Sequence, residues 1–91
     1  MNLSDLIISC DEFKFWFSFY DERSGVLVQL SRLMTGSELK DFIEVFADFS
    51  VILVDFYADY IRVVLDFSFL PVSRLCSFYD SILYFSSYEV I

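Results

Sequence analysis

Residues 13–20 read Phe-Lys-Phe-Trp-Phe-Ser-Phe-Tyr, so Phe13, Phe15, Phe17 and Phe19 recur at every second position. A period of two puts four rings on one face of a β-strand and Lys14, Trp16, Ser18 and Tyr20 on the other. The next five residues, Asp21-Glu22-Arg23-Ser24-Gly25, are polar and end in Gly, which fits a hairpin loop. A second strand is predicted from Val26 to Leu30, with Val26, Val28 and Leu30 alternating against Leu27 and Gln29.

The period then changes. Ser37 suits a helix N-cap, and the helix predicted after it runs to about Asp48. At about 100° per residue, Leu39, Phe42, Ile43, Val45 and Phe46 share one arc. Asp41, Glu44 and Asp48 gather on the opposite side, giving an acidic stripe on an amphipathic helix.

A third strand is predicted over Val51 to Tyr57, followed by a turn near Ala58-Asp59 and a fourth strand over Ile61 to Phe67. Pro71 suits the start of a second helix, Val72 to Ser86, whose inner arc would hold Val72, Leu75, Cys76, Tyr79, Ile82 and Leu83. The fold class is therefore α+β: one domain over residues 1–91, element order ββαββα, with a four-stranded antiparallel sheet and two helices on one face. The segments 13–48 and 51–86 form a weak pseudo-repeat, aligning Tyr20 with Tyr57 and Val26 with Val63. Residues 3–10 fit either an extra edge strand or a helical turn.

Two helices cover one side of such a sheet, and the other side inherits Trp16, Tyr20, Leu27, Gln29, Leu53, Asp55, Tyr57, Arg62, Val64 and Asp66. Either a partner covers that mixed aromatic and charged face, or the N-terminal segment or the tail Ser87 to Ile91 folds across it. Composition sharpens the question. The chain of 91 residues holds twelve Phe, six Tyr and one Trp. Each ring buries ~150–250 Å², more than a core this small readily encloses, and the surplus points to a binding or self-association surface.

Charge narrows the partner. Fourteen acidic against six basic residues give a net charge of −8. Phosphate backbones and anionic membranes demand the opposite sign, so neither nucleic acid nor a membrane surface is an expected partner. A basic protein surface is the complement. No run of about eighteen apolar residues occurs, and the first dozen residues hold Asp5, Asp11 and Glu12 without Lys or Arg, which reads as a cytoplasmic chain with no secretion signal.

The candidate chemistry is sparse. The chain contains no His, which removes the commonest general base and every Ser–His or Cys–His nucleophile. Cys10 and Cys76 cannot complete a tetrahedral metal site and read as buried free thiols. With only Gly25 and Gly36, no phosphate-cradling loop is expected. Asp11-Glu12 and Asp21-Glu22 read as solvated loop carboxylates. Asp55 and Asp66, each in a predicted strand, are the acid–base candidates, against the plainer alternative of a cross-strand pair with Arg62.

The expectation is thus a non-enzymatic acidic module that needs no cofactor or metal and acts by binding protein. Its concrete form is an inhibitor or immunity-type protein (an antitoxin) that masks a basic surface of a toxin, nuclease or defence protein. Trp16, Tyr20, Tyr57 and Arg62 would anchor the partner, and Asp41, Glu44 and Asp48 would steer it. The alternative is an assembly protein that homodimerises through its open sheet face.

Overall fold

A computed structural model describes residues 3, 5, 6, 12–38, 49–84 and 86–91. Alternation of apolar and polar residues produces four of its five strands: β1 (Phe15–Asp21), β2 (Val26–Leu30), β3 (Ser50–Phe56) and β4 (Ile61–Asp66). The fifth, β5 (Tyr88–Val90), comes from the tail. They form one mixed sheet in the order β3-β4-β1-β2-β5. The chain is thus a small α+β domain, as its patterning implies.

Two details of the sheet differ from expectation. The sheet is mixed, not antiparallel: its two central strands, β1 and β4, run parallel from Phe15↔Ile61 to Tyr20↔Asp66. Each hairpin is internally antiparallel, but the connection between them carries the chain to the far edge, so β4 returns beside β1 in the same direction. The additional edge strand is C-terminal, pairing Val28↔Val90 and Leu30↔Tyr88, so the tail extends the sheet and does not fold across its face. Among the described N-terminal residues, Leu3, Asp5 and Leu6 are helical, and Leu3 and Leu6 enter the core.

That core lies on one side of the sheet. Phe15, Phe17 and Phe19 are fully buried, together with Val28, Ile61, Val63 and Leu65 on the neighbouring strands. Phe13, expected as a fourth inward ring, precedes β1 and is exposed. Phe67 and Phe78 stack at 5.0 Å between ring centroids, and Phe19 meets Phe78 edge-on at 5.3 Å. Phe49 closes the group against Phe19 at 5.5 Å. Offset and edge-to-face contacts of this kind add about 0.5–1.5 kcal/mol each beyond the area they bury.

The second predicted helix begins as a single 3-10 turn, Val72–Arg74, after an extended Pro71, and becomes α-helical only over Leu75–Leu83, here α1. The tighter first turn takes Val72 out of the α-helical register, and the inward arc of the helix itself is rotated towards Phe78. Phe78 and Ile82 are buried, with Leu75 and Tyr79 partly so, while Val72, Cys76 and Leu83 are exposed. Cys76 is therefore an exposed free thiol, not a buried one; Cys10 lies outside the described residues.

Residues 36–38 are helical, and the rest of the predicted helix, with Asp41, Glu44 and Asp48, lies outside the described residues. Its cap is Thr35, not Ser37. The Glu38 N–H donates to Thr35 Oγ1 at 3.2 Å and the Thr35 N–H to Glu38 Oε1 at 3.1 Å, a reciprocal capping box. Arg32 and Lys14 lie against the same carboxylate at 3.3 and 3.9 Å. The Thr35 N–H, foremost, holds the Glu38 carboxyl below its usual range against the opposing effect of burial.

Candidate functional site

Strand register assembles the face opposite the core. Trp16 stands beside Arg62, which is itself opposite Asp55; Ser18 lies between Gln29 and Val64, and Tyr20 between Leu27 and Asp66. Trp16, Tyr20, Gln29, Asp55, Arg62 and Asp66 are half-buried. Tyr57, just past the end of β3, is 47% exposed and Leu53 40%. The buried residues of α1 belong to the core cluster on the other side, whereas Ser18 and Val64, at the centre of this face, are themselves buried.

The cluster organises around Trp16. Its indole N–H donates to the Leu30 carbonyl at 2.7 Å, which fixes the ring across the end of β2. Tyr60, in the β3–β4 turn, meets the indole edge-on at 6.3 Å and stacks on Tyr57 at 4.8 Å. The Arg62 guanidinium carbon lies 5.6 Å from the indole centroid. Trp16, Arg62, Tyr57 and Tyr60 thus form one continuous group, whereas Tyr20 sits four residues along β1 from Trp16, towards the other end of the strand. Beside Trp16 and Tyr60 opens a concavity of about 560 Å³, walled by Gln29, Arg32 and Glu89 among others. That volume lies within the range of small binding clefts and accepts one or two large side chains.

The electrostatics of the face turn on Arg62. Among the described residues no carboxylate lies within ion-pair distance of it, although Asp55 is its register partner, and its Nε is shielded with no hydrogen-bond partner. The expected Asp55–Arg62 pair is therefore not formed. Asp66 is occupied locally, its Oδ1 accepting the Ser68 N–H at 2.9 Å and the Ser68 hydroxyl at 2.6 Å. Ser18 Oγ is a second buried polar atom without a partner among the described residues.

Two residues were invisible as contributors in the sequence. Tyr60 falls between strands, where alternation gives it no face; only its spacing from Tyr57 across a tight turn signals the stack. Asp21, a loop carboxylate expected in solvent, is only 6% exposed. Its carboxylate accepts the Arg23 backbone N–H and Nε–H, each at 3.0 Å, and the Ser24 hydroxyl at 3.1 Å. Burial pushes the Asp21 carboxyl up, but these hydrogen bonds together outweigh it and hold it below the usual carboxylate range. Arg23 also donates to the Leu70 carbonyl at 2.6 Å, tying the hairpin loop to the segment before α1.

Comparison of the chain with protein-family models, with curated proteins and with solved structures finds no match. Among the described residues no helix is long and apolar enough to cross a membrane.

Proposed function

We propose that the chain is a non-catalytic acidic binding module whose Trp16–Tyr57 face receives a basic protein. The observation that carries this reading is the group Trp16–Arg62–Tyr60–Tyr57: three large rings in contact with one another or with Arg62, all partly or largely exposed on one face of the sheet. Interface hot spots favour Trp, Tyr and Arg in this kind of setting. Trp16, Tyr57 and Arg62 are the anchors, with Tyr60 as their neighbour and Tyr20 at the periphery. In its most concrete form the module is an inhibitor or immunity-type protein that masks the functional surface of a toxin, nuclease or defence protein.

The charge supports the sign of the partner. Of the six basic residues, Arg23 and Arg32 face carboxylates at 3.0 and 3.3 Å and Lys14 lies 3.9 Å from one, so much of the positive charge is already compensated. Asp41, Glu44 and Asp48 would add long-range attraction, which acts mainly on association rate and is screened by salt.

The test uses the wild-type chain and a Trp16→Ala/Tyr57→Ala variant as parallel baits in extract of the native host. The reading requires a basic polypeptide kept by the first and lost by the second. With that partner in hand, charge reversal at Asp41, Glu44 and Asp48 is expected to slow association at low salt and change it little at high salt. Equal retention by both baits would remove the sheet face from the interaction.

A further inference from the structure

The concavity beside Trp16 has walls of unlike chemistry, and together they suit one kind of side chain. The Trp16 and Tyr60 rings stand on one side and Glu89, carried by β5, on the other. Strand register explains the arrangement. Gln29 pairs with Ser18 on β1 and with Glu89 on β5, so these three side chains emerge on the same face of the sheet. The Trp16 indole leans over the end of β2 to reach the Leu30 carbonyl, which carries its ring towards the β5 side. β5 lies two strand spacings, about 10 Å, from β1, which leaves room for a flat group between indole and carboxylate.

The polar groups of the cleft are acceptors without donors. Among the described residues the Glu89 carboxylate has no cation within ion-pair distance, and neither it nor the Gln29 carboxamide has a hydrogen-bond partner. Arg32 also borders the cleft, but two of its guanidinium nitrogens donate to Glu38 Oε2, each at 3.3 Å, so its charge is already met. The Ser31 and Ser87 hydroxyls are bonded to each other. The unmet need is therefore a cation with several donors and an apolar face. A guanidinium has that form: it is planar and weakly hydrated, so it lies on a ring while its edge bonds a carboxylate. An ammonium is compact and strongly hydrated, and gains less from the rings.

We infer that the cleft is the seat of an arginine side chain, which a basic partner inserts between the Trp16–Tyr60 rings and Glu89. The inference rests on the basic-protein reading for its partner and deepens it, giving Gln29 and Glu89 a part in recognition. It also gives the tail strand a purpose, since β5 supplies the carboxylate that selects the cation. The chain's net charge of −8 favours the same sign of guest.

Heteronuclear NMR of the full chain, titrated with N-acetyl-arginine amide at constant ionic strength, tests the seat without the partner. The Trp16 indole N–H, the Gln29 carboxamide and the Glu89 amide are expected to shift together, with a dissociation constant of about 10–100 mM for so small a probe. N-acetyl-citrulline amide, which keeps the shape and lacks the charge, is expected to bind at least fivefold more weakly. Glu89→Gln, a substitution at an exposed position, is expected to weaken the arginine probe at least threefold. No saturating shift at these three groups, equal binding of the citrulline probe, or an unchanged affinity in Glu89→Gln would each overturn the inference. The two readings fail separately. A captured basic protein that Glu89→Gln holds as tightly as wild type strikes the arginine seat alone. An arginine probe seated as described, with no basic protein captured, upholds the seat and strikes the wider reading.

Discussion

Arg62 lies over the ring of Trp16, 5.6 Å from its centroid, although Asp55 is its cross-strand neighbour in register. The guanidinium is weakly hydrated and planar, so it can exchange part of its water for an aromatic face without needing a carboxylate. The arrangement makes Trp16 a reporter for Arg62. Arg62→Ala is expected to cost about 0.5–1 kcal/mol at this half-buried site and to change the Trp16 emission. Arg62→Lys keeps the charge but gives up the flat contact, and is expected to recover only part of that loss. Urea unfolding of the three proteins, with a common m-value, measures the series. Equal stability of wild type and Arg62→Ala would show that the contact contributes nothing.

The position of Phe78 carries the second expectation. It touches Phe19 and Phe67 at 5.3 and 5.0 Å between centroids and joins the hairpins to α1. Phe78→Ala is expected to cost about 3–5 kcal/mol, combining lost burial with an unfilled cavity. Against the total of about 5–15 kcal/mol usual for a domain, that leaves the variant close to unfolding at 37 °C. Val72→Ala and Leu83→Ala, at exposed positions on the same segment, are each expected within about 0.5 kcal/mol of wild type. Thermal melts of the three variants decide whether α1 buries the face described. A larger loss at Val72 than at Phe78 would rotate the helix back to the sequence-based arc.

The contrast between Phe78 and Val72 also shows where reading the chain succeeds and where it stops. Period-two alternation is a local property, so β2 begins and ends where expected, and Trp16, Ser18, Tyr20 and Arg62 fall on the predicted side of the sheet. Helical phase is also local, but which face turns inwards is decided by packing: α1 docks with Phe78 against Phe19 and Phe67 and leaves Cys76 outside. The parallel pairing of β1 with β4 is not local at all: either edge of one hairpin could meet either edge of the other, and alternation is blind to the choice. The edge pairing of the tail is illegible for a different reason. Tyr88-Glu89-Val90 is too short to show a period, and its pairing with β2 supplies what its own sequence lacks. The site divides in the same way. Trp16 and Arg62 were legible from alternation, whereas Tyr60 and Asp21 act through turn geometry.

Asp21 and Glu38 make the acid limb of stability predictable in sign. Both carboxyls sit below their usual range in the folded chain: Asp21 because hydrogen bonds from Arg23 and Ser24 outweigh its burial, Glu38 chiefly through the Thr35 N–H. A depressed folded value means that the unfolded chain binds protons more readily. The stabilisation is therefore complete above the unfolded values, about 4, and drains away as pH falls through the lower folded values. Asp21→Asn keeps the shape but loses the charge-assisted acceptor of Arg23, and is expected to cost about 1–3 kcal/mol at pH 7. Below the folded carboxyl range the gap between wild type and variant should narrow, because the wild-type carboxyl is then neutral too. Tyr79 shapes the opposite limb. Burial first, and then the neighbouring Tyr88 and Asp21, push its hydroxyl up, so its contribution holds below the unfolded value of about 10 and is lost as pH rises through the folded one. Urea midpoints of wild type, Asp21→Asn and Tyr79→Phe between pH 2 and pH 11 resolve both limbs. A gap between wild type and Asp21→Asn that stays constant from pH 7 to pH 2 would detach the carboxylate from the acid limb and leave the hairpin tie resting on Arg23 and Leu70 alone.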